Sequence, residues 1–221
     1  MRVRQMCTMV SLVISVTATL LVAPAALPAA SADPCPEVEV VFARGRIEPP
    51  GTGKIGNAFI NALRSQTGKN VGYYAVNYPA DTEIMLGAND MSRRIQSMAG
   101  KCPNTKLVLG GYSLGAAVTD VVLAVPAAMF GYTNPLPLGM NDRIAAVALF
   151  GNGTRKIFGP VSDIIPRWGA KTIDLCTADD PVCNDNLEPE TWADNWPAHL
   201  HSAYVDSGLV NQAASFVAAR L

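Results

Sequence analysis

Five residues constrain this chain more than any others: Gly111-Tyr112-Ser113-Leu114-Gly115. A strand-like run, residues 107–110, leads into them, and a small apolar, helix-like run, residues 116–125, follows. A strand, Gly-x-Ser-x-Gly and a helix, in that order, is the context of a nucleophile elbow. The elbow turn is so tight that the residues two before and two after the serine must be small, and Gly111 and Gly115 hold those places. Such a turn lifts the Ser113 hydroxyl above a sheet at a helix N-terminus, where free amides and the helix dipole favour developing negative charge. A glycine-rich turn with an ordinary serine is the competing reading, and the flanking strand and helix count against it.

An elbow needs a parallel sheet around it, and the remaining pattern supplies one. Apolar strand-like runs fall at residues 38–43, 71–76, 144–150 and 171–175. Helical periodicity occupies residues 55–65, stopped by Gly68 and Asn70. It returns in a helix capped by Asp81 or Thr82 and reaching Met98, and in an amphipathic segment at 209–221. Residues 131–141, 151–169 and 176–201 read as loops. Unbroken apolar strands alternating with helices imply a sheet covered on both faces. The expected fold is α/β, a compact three-layer sandwich around a mostly parallel five-stranded sheet, without internal repeats or a second domain. Ligands of such sheets bind beyond the carboxyl ends of the strands, where Ser113 lies.

The first 32 residues read as a secretory signal. Arg2 and Arg4 precede an uncharged apolar run at 9–23, and Ala30-Ser31-Ala32 forms an Ala-x-Ala cleavage pattern. The run is short for a membrane span and no basic flank follows it. Removing 32 of 221 residues leaves 189, one domain with a sizeable core. It also removes two of 17 basic residues and none of 18 acidic ones, taking the net charge from −1 to −3. Without a basic run or basic-aromatic stripe, nucleic-acid binding is not expected. Cys7 leaves with the signal. Cys35, Cys102, Cys176 and Cys183 remain, an even number suited to two disulfides in an exported chain. Cys176 and Cys183 are near enough to close a small loop, leaving Cys35 with Cys102. There is no Cys-x-x-Cys, and no metal is expected.

A serine hydroxyl needs a base to take its proton. The mature chain offers two histidines, His199 and His201, both before the last helix. In α/β-hydrolases the order is serine, acid, histidine. The acid then falls at Asp179 or Asp180, between Cys176 and Cys183, where a small disulfide loop would fix a carboxylate that orients the imidazole. Turn-forming Asp-Pro chemistry competes for the aspartates, and solvated loop positions for the histidines. Physics alone does not choose within either pair: two histidines two apart face the same way on an extended segment.

The mature chain resembles the cutinase family, and in particular the cutinase-like serine esterases exported by actinobacteria. The resemblance rests on Cys35-Pro36, Phe42-Ala43-Arg44-Gly45, Gly-Tyr-Ser-x-Gly at 111–115, Asp180-Pro181-x-Cys183 and His201-x-x-Tyr204 before a final helix. It implies a cutinase-like α/β-hydrolase with Ser113, Asp180 and His201 as the triad, His199 standing in reserve. It implies the same two disulfides. It places the oxyanion hole at the backbone amides of Leu114 and Arg46. Two residues depart from the family pattern, which usually has serine or threonine where Arg46 stands and glutamine where Leu114 stands. The amides survive both changes, and the Arg46 guanidinium is free to donate or to attract an anionic head group.

The implied function is a secreted serine carboxylic-ester hydrolase working through an acyl-enzyme, without cofactor, on lipid or short-to-medium acyl esters. A monomer with transient lipid-surface contact is expected. The chain has little room for a lid. Met85 and Leu86 on one side, with Trp192, Trp196 and Leu200 on the other, form a candidate acyl-binding rim, ordinary packing being the alternative. Acyl transfer or phospholipid cleavage by the same triad is a second reading. A catalytically weak binding protein on the same fold is a third. Asn152-Gly153-Thr154 matches a glycosylation acceptor.

Overall fold

Five strands pair side by side, all parallel, in the order β2-β1-β3-β4-β5, in a computed structural model that describes residues 35–184, 186–187 and 203–221. They are β1 (Val38–Ala43), β2 (Val71–Ala75), β3 (Lys106–Tyr112), β4 (Ile144–Phe150) and β5 (Thr172–Leu175). The helices are α1 (Gly53–Thr67), α2 (Ile84–Lys101), α3 (Leu114–Ala124), the short α4 (Thr154–Phe158) and α5 (Val161–Ile164), and α6 (Leu209–Ala218).

The strands read as continuous apolar runs because both faces are covered, and the pleat divides them with period two. Val41, Ala43, Leu107, Leu109, Val147 and Leu149 pack with Ala88, Met91 and Ile95 of α2 and with Ala116, Val118 and Val122 of α3. Val40, Phe42, Val108, Ala146, Ala148 and Phe150 pack with Phe59 and Leu63 of α1 and Val210 and Val217 of α6. Rings of Phe42, Phe59 and Phe150 meet at 5.9–6.4 Å between centroids. One charge enters β1. Glu39, 2 % exposed, is matched by the Arg94 guanidinium, whose Nε donates to Oε1 at 2.7 Å.

All five expected strands are present, and β4 has the expected bounds. The start of α2 differs. Asp81 Oδ1 accepts the N–H groups of Thr82 and Glu83 at 2.5 and 3.2 Å, so the carboxylate closes a local turn instead of capping a helix. The helix then begins at Ile84 and runs past Met98 to Lys101. The stretch 151–169, read as irregular, contains α4 and α5. The disulfides join Cys35 to Cys102 and Cys176 to Cys183. The first ties the entry of β1 to the end of α2. The second closes the loop that leaves β5. Among the described residues no helix is long and apolar enough to cross a membrane.

Candidate active site

The elbow is built as its glycines require. Ser113, between β3 and α3, has φ 54° and ψ −116°, a left-handed backbone that L-residues rarely adopt. A Cβ on Gly111 would stand 2.1 Å from the carbonyl oxygen of Gly115, and one on Gly115 would stand 2.0 Å from that of Ala43 in β1. Each glycine therefore permits a backbone approach that any side chain would block. The turn is held by the Ser113 N–H donating to Phe150 O at 2.9 Å, and the Ala116 N–H returns to Ser113 O at 2.9 Å. Thr119 on α3 donates through its hydroxyl to Gly115 O at 3.0 Å.

The loop after β1 faces the elbow. Arg44, 4 % exposed, fixes it: Nε donates to Glu48 O at 2.8 Å, and Nη2 to Tyr78 O at 2.6 Å. The Tyr78 hydroxyl donates back to Arg44 O at 2.5 Å. Glu48 accepts the N–H groups of Gly45 and Lys54 at 2.6 and 2.8 Å. A Cβ on Gly45 would meet the Tyr112 ring at 2.6 Å, so glycine lets this loop close onto the residue before Ser113. Arg46 follows, exposed, and lines a cleft of about 350 Å³ together with Ser113 and Leu114. Ile84, Ala117, Ile157 and Val182 give the cleft its apolar wall. The expected rim is thus replaced on its described side. Leu86 borders a neighbouring depression, and Met85 packs on the core toward Gly131.

Asp180 lies in the loop closed by Cys176 and Cys183 and is 2 % exposed. Its Oδ1 accepts the Val182 N–H at 2.9 Å, and its Oδ2 accepts the Tyr204 hydroxyl at 2.5 Å. Burial, and then the Asp180 carboxylate, push the Tyr204 hydroxyl far above its usual pKa, so it stays a donor. Gly151 sits against this pair: a Cβ there would stand 3.0 Å from Asp180 Oδ2 and 3.1 Å from both the Tyr204 hydroxyl and the Tyr112 ring. The neighbouring Asp179 is exposed. The sulfurs of Cys176 and Cys183 lie with the Asp180 carboxylate within 4.8 Å, but both are consumed in the disulfide and offer no thiolate to a metal. His199, His201, Trp192, Trp196 and Leu200 fall outside the described residues.

Two features escaped the sequence reading. Tyr204 was visible as part of His201-x-x-Tyr204, yet its bond to Asp180 spans 24 residues and has no local signal. Asn152 reads as a glycosylation acceptor, but its side chain is fully buried and its amide donates to Asp120 and Asp174, so it is not presented to a surface-modifying enzyme.

Comparison with known proteins points one way. The family model described as Cutinase matches residues 34–221. A protein of Mycobacterium tuberculosis named "Probable carboxylesterase Culp2" is 58% identical over 225 residues, covering 99% of this chain and 97% of its own length. "Phospholipase Culp4" of the same species is 52% identical over 207 residues, covering 92% and 87%. Among solved structures, a Trichoderma reesei cutinase in complex with a phosphonate inhibitor is similar with a TM-score of 0.61 at 30% identity, over 84% of this chain and 76% of that one.

Proposed function

The chain belongs to the cutinase family and is a carboxylic ester hydrolase, and on that premise we propose that it is an exported serine esterase with Ser113 as nucleophile, His201 as base and Asp180 as the acid that orients the base. The strained backbone of Ser113 at φ 54°, between two glycines that admit no side chain, carries this reading.

Ser113 Oγ attacks the ester carbonyl while His201 takes its proton. The oxyanion is met by the amides of Leu114 and Arg46, each worth about 10²–10³ in rate where such a donor is well placed. His201 returns the proton to the departing alcohol, and water then releases the acid from the acyl-enzyme by the same relay. Asp180 accepts hydrogen bonds from Val182 and Tyr204 in a disulfide-closed loop, which suits a carboxylate that must hold one orientation. Two disulfides fit an oxidising compartment, in keeping with removal of residues 1–32 after export. N-terminal sequencing of the secreted protein tests the cleavage site.

A fluorophosphonate probe tests the nucleophile: it should label the wild type and not Ser113→Ala, and equal labelling of both would defeat the assignment. Phospholipid cleavage is a second reading, favoured by the 52% identity to a relative named as a phospholipase. A p-nitrophenyl ester series of increasing chain length, followed by a phospholipid assay, separates the two. Action as a monomer with transient contact to a lipid surface completes the proposal.

A further inference from the structure

Behind the cleft wall formed by Gly153 and Thr154 lies a largely buried polar cluster that ester hydrolysis does not itself use. Asn152, two residues beyond β4, donates its side-chain amide to Asp120 Oδ2 on α3 at 2.8 Å and to Asp174 Oδ2 on β5 at 3.1 Å. Its carbonyl oxygen accepts the Thr154 N–H at 3.1 Å and lies 2.6 Å from Thr154 Oγ1. Thr154 Oγ1 is also hydrogen-bonded to Asp120 Oδ2.

Proton counting decides how these contacts coexist. A threonine hydroxyl has one proton, and an amide oxygen has none. Thr154 Oγ1 therefore donates to only one of its two oxygen partners. Both contacts are satisfied when Asp120 Oδ2 carries a proton and donates it to Thr154 Oγ1, which donates in turn to Asn152 Oδ1. The surroundings agree. Burial pushes the Asp120 carboxyl up. Burial raises Asp174 to about 6, helped by Asp120 and opposed by Arg155. Asp120 Oδ1 and Asp174 Oδ1 are buried without a hydrogen-bond partner among the described residues.

Among the described residues, few charges face the pair. On α4, Arg155 Nη1 lies 3.5 Å from Asp174 Oδ1, while Lys156 is held by the carbonyls of Pro181, Asn184 and Leu187. β4 is apolar throughout, α3 has no other charged residue, and β5 adds only the uncharged Thr172. The segment 151–154 is wedged between this pair and the Asp180 loop. Gly151 abuts Asp180 and Tyr204, and a Cβ on Gly153 would stand 2.9 Å from the Val182 side chain.

We propose that the Asp120–Asp174 pair carries a single proton and that, through Asn152 and Thr154, the two act as positioning residues that fix segment 151–154 against the Asp180 loop, so that ester turnover responds to pH through groups that never touch the substrate. On loss of the proton to solvent, two largely buried anions face one amide, and the segment loosens. An acid whose pKa is raised by folding loses stability as pH rises from its unfolded value to its folded one. With Asp174 raised to about 6, the loss accumulates between about pH 4 and 6 and is complete above that.

The kinetic part of this proposal rests on the esterase reading; the proton itself does not. Thermal unfolding of Ser113→Ala protein between pH 4 and 7.5 tests the proton without catalysis. Adding Asp174→Asn should leave the midpoint near that of the parent at pH 4 and raise it by about 5 °C above pH 6. Parallel curves overturn the proposal. With Ser113 intact, Asn152→Ala should lower kcat by about tenfold or more with KM nearly unchanged. Thr154→Val serves if that variant does not fold. The kcat of Asp174→Asn relative to wild type should rise as pH passes about 6. An unchanged kcat in folded Thr154→Val, or an Asp174→Asn pH profile superimposable on wild type, overturns the positioning role. The expected stability difference in a protein without esterase activity supports the single proton on the pair and defeats the esterase reading alone.

Discussion

Replacing Tyr204 by phenylalanine isolates the support beneath Asp180. The side chain is fully buried, and its ring meets Tyr112 and Phe150 edge-on at 5.7 and 6.2 Å between centroids. Phenylalanine keeps those contacts and deletes only the hydroxyl. That hydroxyl donates to Asp180 Oδ2 at 2.5 Å and accepts the Thr177 N–H at 3.4 Å. A hydrogen bond to a charged group contributes roughly 1.5–3 kcal/mol. Asp180 keeps the Val182 N–H, so the loss falls in the lower part of that range, about 2 kcal/mol. For a domain of this size that lowers the melting midpoint by about 4–8 °C. The kinetic effect comes through the carboxylate. Disabling the acid of such a triad costs about 10⁴ in kcat, and a carboxylate that has lost one of its two named donors should lose a smaller part, about tenfold. Urea unfolding and p-nitrophenyl ester hydrolysis measure the two effects, with KM expected to stay near its wild-type value. A stability within about 0.5 kcal/mol of wild type together with kcat within twofold would refute the claim that Tyr204 holds Asp180.

The two disulfides should separate stability from activity. Opening Cys35–Cys102 by a double serine substitution costs up to about 4 kcal/mol in the chain-entropy model and leaves kcat near wild type, because it ties the feet of β1 and α2 far from Ser113. Opening Cys176–Cys183 costs less, up to about 2.5 kcal/mol, yet lowers kcat more because Asp180 lies inside that loop; denaturant titration and ester hydrolysis of both variants check the reversal. Gly115→Ala drives a Cβ to 2.0 Å from Ala43 O, between backbone segments that cannot yield, and should leave little folded protein by circular dichroism. Arg44→Lys keeps the charge but not the planar fork that binds the Glu48 and Tyr78 carbonyls, and should lower kcat by about tenfold as the loop bearing Arg46 shifts.

How much of this was legible in the chain depends on how far apart the partners lie. The elbow was legible because its requirements are local. A strand, two glycines at fixed offsets from a serine and a helix occupy one short stretch, and the sterics of that turn admit no other residue at 111 or 115. The five strands were legible because burial on both faces imposes unbroken apolar runs. Chain order ranked the triad candidates, and family resemblance chose Asp180 over Asp179.

Tertiary structure decided what no local pattern encodes. Asp81 closes its own turn instead of capping α2, a choice between two local bonds that sequence leaves even. Arg44 is a buried staple rather than a surface charge, because the carbonyl of Tyr78, 34 residues away, comes within 2.6 Å. Asn152 looks like a surface acceptor in sequence. It becomes a buried donor between two carboxylates because β4 delivers it to the point where α3 and β5 converge. Short-range sterics wrote the elbow into the sequence, whereas buried polar groups 22 to 34 residues apart acquire partners only when the sheet brings them together.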